Sequence, residues 1–198
     1  NNSNAGASTY FFDYPRLLDF YALGNLKDLA KKITLDNAML EFLNNTDNHA
    51  NNPNENYARE FLELFTILKG PQIGSGNYTN YTELDVQQAA RVLTGFRKMN
   101  DRSKIDDDTN LPKGWNDISK HDTANKVFSE AFNNTEINGQ DTEDGMNQEL
   151  NDFVDMIFDK EETARSYCRK LYRFFVKSEW NNEIELEIIE PLSQQLIN

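Results

Sequence analysis

The chain has 198 residues, of which 38% are hydrophobic and 12% aromatic, enough for one substantial core or two small ones. Its formal net charge of −13 would be repelled by a nucleic-acid backbone and by an anionic membrane, so neither is an expected partner. A single cysteine, Cys168, excludes an intrachain disulfide, and no apolar run is long enough to span a bilayer.

The opening Asn1 to Asn4 cluster, with Asn44-Asn45 and Asn51-Asn52, reads as turn or unstructured chain, and residues 1–13 as a disordered or linker start. Pro15 suits a first helical position, predicting a helix from Pro15 to Leu23 that Gly24 stops. Asn25 then caps a second helix with Leu26, Leu29, Ala30 and Ile33 on one stripe. A third, starting at Asp36, carries Ala38, Met39, Phe42 and Leu43 inward, and a polar loop runs from Asn44 to Asn52.

The strongest local signal follows Pro53. Tyr57, Ala58, Phe61, Leu62, Leu64, Phe65 and Leu68 share one broad helical arc, and Asn56, Arg59, Glu60 and Glu63 share the other. Glu55–Arg59 and Arg59–Glu63 are i, i+4 pairs, so Arg59 is placed to bridge two carboxylates. After a Gly74-Ser75-Gly76-Asn77 loop, Thr82 to Asp85 is a capping-box variant opening a helix that buries Val86, Ala89, Ala90 and Leu93 and ends at Gly95.

Charged and turn-forming residues fill 98–114, and Asp106-Asp107-Asp108-Thr109-Asn110 reads as a solvated acidic loop, lacking the Gly and closing Glu of a calcium loop. Short strands near Trp115–Ser119 and Lys126–Phe128 are expected to pair as a hairpin across the His121 turn. Helices are expected over Glu149–Phe158, over Thr163–Val176 with Ala164, Tyr167, Leu171, Phe174 and Phe175 inward and Cys168 as a buried inert thiol, and over Glu183–Gln195, interrupted at Pro191. The basic residues from Arg165 to Lys177 are read as neutralising acidic neighbours internally. The expected fold is mainly α: one helical domain over 14–198, an irregular bundle of about seven or eight helices with one short β-hairpin.

Five ordered segments carry a resemblance: Ala22 to Leu29 with Ile33-Thr34 and Ala38 to Leu40; Pro53 to Glu60 with Glu63 to Thr66; Tyr81 to Val86 leading into Ala89 to Phe96; His121-Asp122-Thr123 with Lys126; and Ala164-Arg165 through Arg169 to Leu171 to Phe174-Phe175-Val176. Together they resemble the bacterial family known as domain of unknown function 1800. Phe61, Phe96 and Asn125 depart from its usual residues, and Asn100 to Lys113 reads as a local insertion. The match is to the middle and later part of the family domain, so the chain is expected to be a fragment of a longer one. The resemblance implies a mainly helical protein, exported in bacteria to the periplasm, cell surface or medium. It also implies gene neighbours that include an exported sulfatase-like protein, the partner expected here.

Two clusters carry chemistry. Glu60 and Glu63 suit paired acid and base roles, and Arg59 with Glu55 and Asn56 suits an anion clamp or a structural ion-pair ladder. Arg91 and Thr94 on the following helix are expected to face the same arc. His121, beside Asp122 and Lys126, suits a general base, or else a turn in which Asp122 bonds the backbone and Lys126 pairs with it. No cofactor motif is evident, and no metal ligand set is assigned; a divalent ion on the glutamates would be compatible but has no supporting residues. The expected function is that of an interaction or scaffold module acting with an extracytoplasmic partner. The alternative is a hydrolase on an anionic or glycan substrate, using Glu60, Glu63 and His121 catalytically.

Overall fold

The computed structural model describes residues 9–179 and 181–197. The Asn1 to Asn4 cluster and the first eight residues of the expected linker lie outside them. The fold is mainly α, as expected. Helices α1 (Tyr10–Phe20), α2 (Leu26–Thr34) and α3 (Asn37–Phe42) lead to α4 (Glu55–Glu60), which runs on as a π turn over Phe61–Phe65. Then come α5 (Glu83–Val92), α6 (Glu143–Phe158), α7 (Glu161–Phe175), α8 (Asn182–Ile184) and α9 (Glu190–Ile197).

Several local signals act as read. Asn25 accepts from the amides of Lys27 and Asp28, Asp36 from Met39, and Thr82 and Asp85 form a capping box. Helix α1 starts five residues before Pro15, because Tyr10, Asp13 and Leu17 bury one face and tertiary packing overrides the proline signal. Pro191 does not break the last helix; a π turn at Glu185–Ile189 precedes it, where the missing N–H would otherwise interrupt the ladder.

The strands fall near the expected places but pair differently. Strand β1 (Gln72–Gly74) pairs with β2 (Asn77–Tyr78), so the expected Gly74–Asn77 loop is itself a hairpin tip. Strand β3 (Phe96–Arg97) pairs with β4 (Trp115–Asn116), and β5 (Lys126–Val127) with β6 (Glu136–Ile137), all antiparallel. The expected pairing of 115–119 with 126–128 does not form, because each segment finds a partner that packs it onto the helical core.

That core joins α3, α4, α5 and α6, with Phe61, Phe128 and Phe153 packed at its centre: Phe153 lies tilted 5.4 Å from Phe61 and stacked 5.9 Å from Phe128 between ring centroids. Five residues expected inside are outside. Phe42 is exposed at the end of α3, and Leu171, Phe174 and Phe175 are exposed on α7. Leu64 is also exposed, since the π turn winds the helix more widely and carries Leu64 off the apolar arc. Cys168 is buried, and burial pushes its thiol up, as expected of an inert cysteine.

The Asn-rich loop after α3 is built into the fold. Buried Asn45 and Asn48 donate to the carbonyls of Leu93 (3.0 Å) and Ala90 (2.9 Å), satisfying the end of α5. The acidic 106–110 loop is likewise anchored: Asp106 is buried and accepts from Lys32 at 2.6 Å, with Asp108 held by the same lysine. On α7, Arg165 pairs with Glu161 and Glu190, and Arg169 with Glu162 and Glu185, the internal neutralisation expected.

Candidate functional site

The polar face of α4 divides its residues. Arg59 does not bridge to Glu63. Its guanidinium binds Glu83 at 2.6 and 3.1 Å and Glu55 at 3.0 Å, tying α4 to the start of α5. Hydrogen bonding to Arg59 holds Glu83 below the usual carboxylate range and raises the guanidinium in turn. Asn56 donates to the Leu43 carbonyl at 3.0 Å and so closes the end of α3. Glu63 pairs with Lys69 and accepts from the Tyr81 hydroxyl at 3.4 Å. The Glu60 side chain makes no hydrogen bond or ion pair among the described residues. The glutamates expected to cooperate thus have separate surroundings.

Arg91 and Thr94 do not face this arc either. They turn from the end of α5 onto the His121 turn. Arg91 grips Asp122 at 2.7 and 3.2 Å, and the Thr94 hydroxyl accepts the Asp122 amide at 2.8 Å. Asp122 also accepts the Ala124 amide at 2.9 Å, the Asx-type turn read from the sequence. Against burial, which raises it, the bonds from Arg91 and Ala124 hold the Asp122 carboxyl low. Gly95, with φ at +82°, makes this approach possible: a Cβ there would lie 2.7 Å from the Asp117 carbonyl.

Behind the turn lies the centre of the network. The side chains of His121, Lys126 and Glu149 are all 0% exposed. His121 Nδ1 lies 2.8 Å from the Thr94 carbonyl, and Nε2 lies 3.0 Å from Glu149 Oε1. Lys126 Nζ donates to Glu149 Oε2 and to the Asp122 carbonyl, and the Gln140 amide donates to Glu149 Oε1 at 2.6 Å. Lys126 therefore pairs with Glu149, and not with the Asp122 carboxylate. Burial draws its ammonium below the ordinary lysine value, although Glu149 opposes that shift.

Chemically, this centre is saturated. Both ring nitrogens of His121 are engaged by oxygen atoms inside the fold, so neither is open to a substrate or a metal ion. Glu149 is shared among three donors. Among the described residues no group of three or more His, Cys, Asp or Glu side chains is arranged to hold a metal ion. Of the residues singled out in the sequence, the fold joins Arg91, Thr94, His121, Asp122 and Lys126 in one network. It joins Glu55 and Arg59 in another through Glu83, and leaves Glu60, Glu63 and Asn56 outside both.

Sequence reasoning missed Glu149 and Glu83, and of Asp85 it read only the capping box. Glu149 sits inside the apolar stripe of α6, between Met146, Leu150 and Phe153, and a charge on a buried stripe is the signal that reveals it. Asp85, fully buried, serves the capping box and also accepts the Ser129 amide and hydroxyl at 2.7 Å each, fixing the following loop to α5.

The family model described as "Protein of unknown function (DUF1800)" matches residues 1–197. No curated protein and no solved structure matches the chain. No helix among the described residues is long and apolar enough to cross a membrane.

Proposed function

This chain belongs to the DUF1800 family, and we propose that it is a helical interaction module of an exported bacterial protein, working with an extracytoplasmic partner. The observation that carries the reading is the contrast between its two kinds of surface chemistry. The residues with catalytic potential are saturated inside the fold or dispersed, whereas large apolar side chains stand free on the last helices.

Between α7 and α9 a groove of about 530 Å³ is lined by Leu171, Phe175, Val176, Ile188 and Leu192. Phe174, Phe175 and Val176 are each more than two-thirds exposed. Contiguous exposed apolar surface of this kind supports a protein contact more readily than a hydrolytic site. Export and the choice of partner rest on what membership of the family implies, and the partner proposed is an exported sulfatase-like protein.

The test is binding of the chain to an exported sulfatase-like protein of the same bacterium, measured by calorimetry. Binding is expected, and Phe175→Asp should weaken it at least tenfold while circular dichroism stays unchanged. Hydrolysis of a glycan or anionic ester by the purified chain, lost in Glu63→Gln, would overturn the reading in favour of the enzyme.

A further inference from the structure

Helix α1 is fastened to the rest of the chain at a junction with α3 and the 98–113 segment. Tyr10 is buried and its hydroxyl donates to Asn100 Oδ1 at 3.2 Å. One turn further on, Asp13 is only 3% exposed. Its Oδ1 accepts from Arg102 Nη2 at 2.9 Å, but its Oδ2 is buried with no partner. Asp36, the N-cap of α3, is 4% exposed and accepts the Met39 amide at 3.0 Å. Both aspartates line one cavity of about 10 Å³, room for a single water. Arg102 Nε and Asn37 Nδ2, at the same junction, are buried donors without partners. Donors and an acceptor left over together suit water and a proton better than a metal ion.

The charges around Asp36 are already committed. From α1 it faces Asp13 and the phenols of Tyr10 and Tyr14, and from α4 the phenol of Tyr57. Lys32 of α2 shares the cavity but donates to Asp106 and Asp108 at 2.6 Å each. Lys113, across from it, lies 3.5 Å from Asp106, and Arg102 is taken by Asp13. No cation among the described residues pairs with Asp36. When Asp36 is ionised, its buried charge lies near that of Asp13 with no cation of its own, a costly arrangement.

We propose that Asp13 and Asp36 form a pH-sensitive latch, which holds α1 against α3 while Asp36 carries a proton and loosens α1 when Asp36 ionises beside Asp13. The proton on Asp36 supplies, through the cavity water, the donor that Asp13 Oδ2 lacks. Burial pushes Asp36 up to about 6; the amides of Met39 and Ala38 oppose this and the charge of Asp13 adds to it. A carboxyl raised on folding contributes stability that is complete below its unfolded value of 3.8 and is lost as the pH climbs through about 6. The latch is closed in mild acid and open above neutrality.

Hydrogen exchange across the whole chain at pH 5.0 and 7.5, corrected for intrinsic rates, tests this. Protection of α1 amides should fall about tenfold at the higher pH relative to α6, the most that a carboxyl titrating at about 6 allows between those two pH values. Asp36→Asn keeps the cap and removes the charge, so its α1 protection should not change with pH. Equal protection of wild-type α1 at both pH values, or an undiminished fall in Asp36→Asn, would overturn the latch. Carbon-13 titration of the Asp36 carboxyl in the unmodified chain stands apart from the variant's folding. A midpoint near 6, lowered by Asp13→Asn, supports the proposal, and an ordinary aspartate midpoint refutes it.

Discussion

His121 Nε2 and Glu149 Oε1 lie 3.0 Å apart with neither side chain exposed to solvent, so the histidine that looked catalytic in sequence is clamped inside the fold. Glu149 is the pivot, because it also neutralises Lys126. Glu149→Ala leaves a buried ammonium without its counter-charge and should cost about 3–5 kcal/mol. Urea unfolding measures this, and Lys126→Met in the Glu149→Leu background should recover part of the loss.

Glu60 gives the opposite expectation. Having no partner among the described residues, it should accept Gln with a change in stability within about 0.5 kcal/mol. A drop of several degrees in Tm for Glu60→Gln would show that the residue belongs to a buried network after all.

Acid should unfold the protein partly through Asp122 and Asp106. Burial alone would raise both carboxyls, but Arg91 for the first and Lys32 for the second draw them below the ordinary 3.8. A carboxyl lowered on folding contributes stability that is present above its unfolded value and lost as the pH falls through the folded one. Asp122→Asn should therefore be less stable than the parent at pH 7, with the gap narrowing below pH 4. Urea midpoints at pH 7, 5, 4 and 3 would reveal it. Asp36 contributes with the reverse sign, so the Asp36→Asn variant should gain relative to the parent between pH 4 and 7.

The end of α4 is finished by α7. Tyr167 Oη donates to the Phe65 carbonyl at 2.7 Å, Lys170 Nζ to the Leu64 carbonyl at 2.6 Å, and Ser166 Oγ to the Thr66 carbonyl. Tyr167→Phe and Ser166→Ala should each cost about 1–2 kcal/mol by leaving a carbonyl unsatisfied. Their sum in the double variant, measured by denaturant unfolding, should depart from additivity because both act on one turn.

The helices and caps were legible because they depend on near neighbours: Asn25, Asp36 and the Thr82–Asp85 box satisfy amides two or three residues away. Strand pairing was not legible, since β3 with β4 and β5 with β6 are two-residue contacts chosen by tertiary packing. The candidate site was half legible. Asp122 and its Asx turn are local, but Glu149 reaches His121 from 28 residues away, and Arg59 takes Glu83 from 24 residues away in preference to Glu63, four residues along its own helix. The apolar character of α7 was read correctly while its direction was not. Periodicity tells which residues share a face and not whether anything covers that face.

The three carbonyls at the end of α4 wait for donors that lie 100, 102 and 106 residues later in the chain. During synthesis at about 5–20 residues per second, that interval lasts roughly 5–20 s. Through all of it the segment with the clearest helical signal has an open end, exposed to proteases and to mispairing. Folding therefore closes this element by a long-range loop, late and slowly, and the order in which the chain emerges decides when its best-marked helix becomes secure.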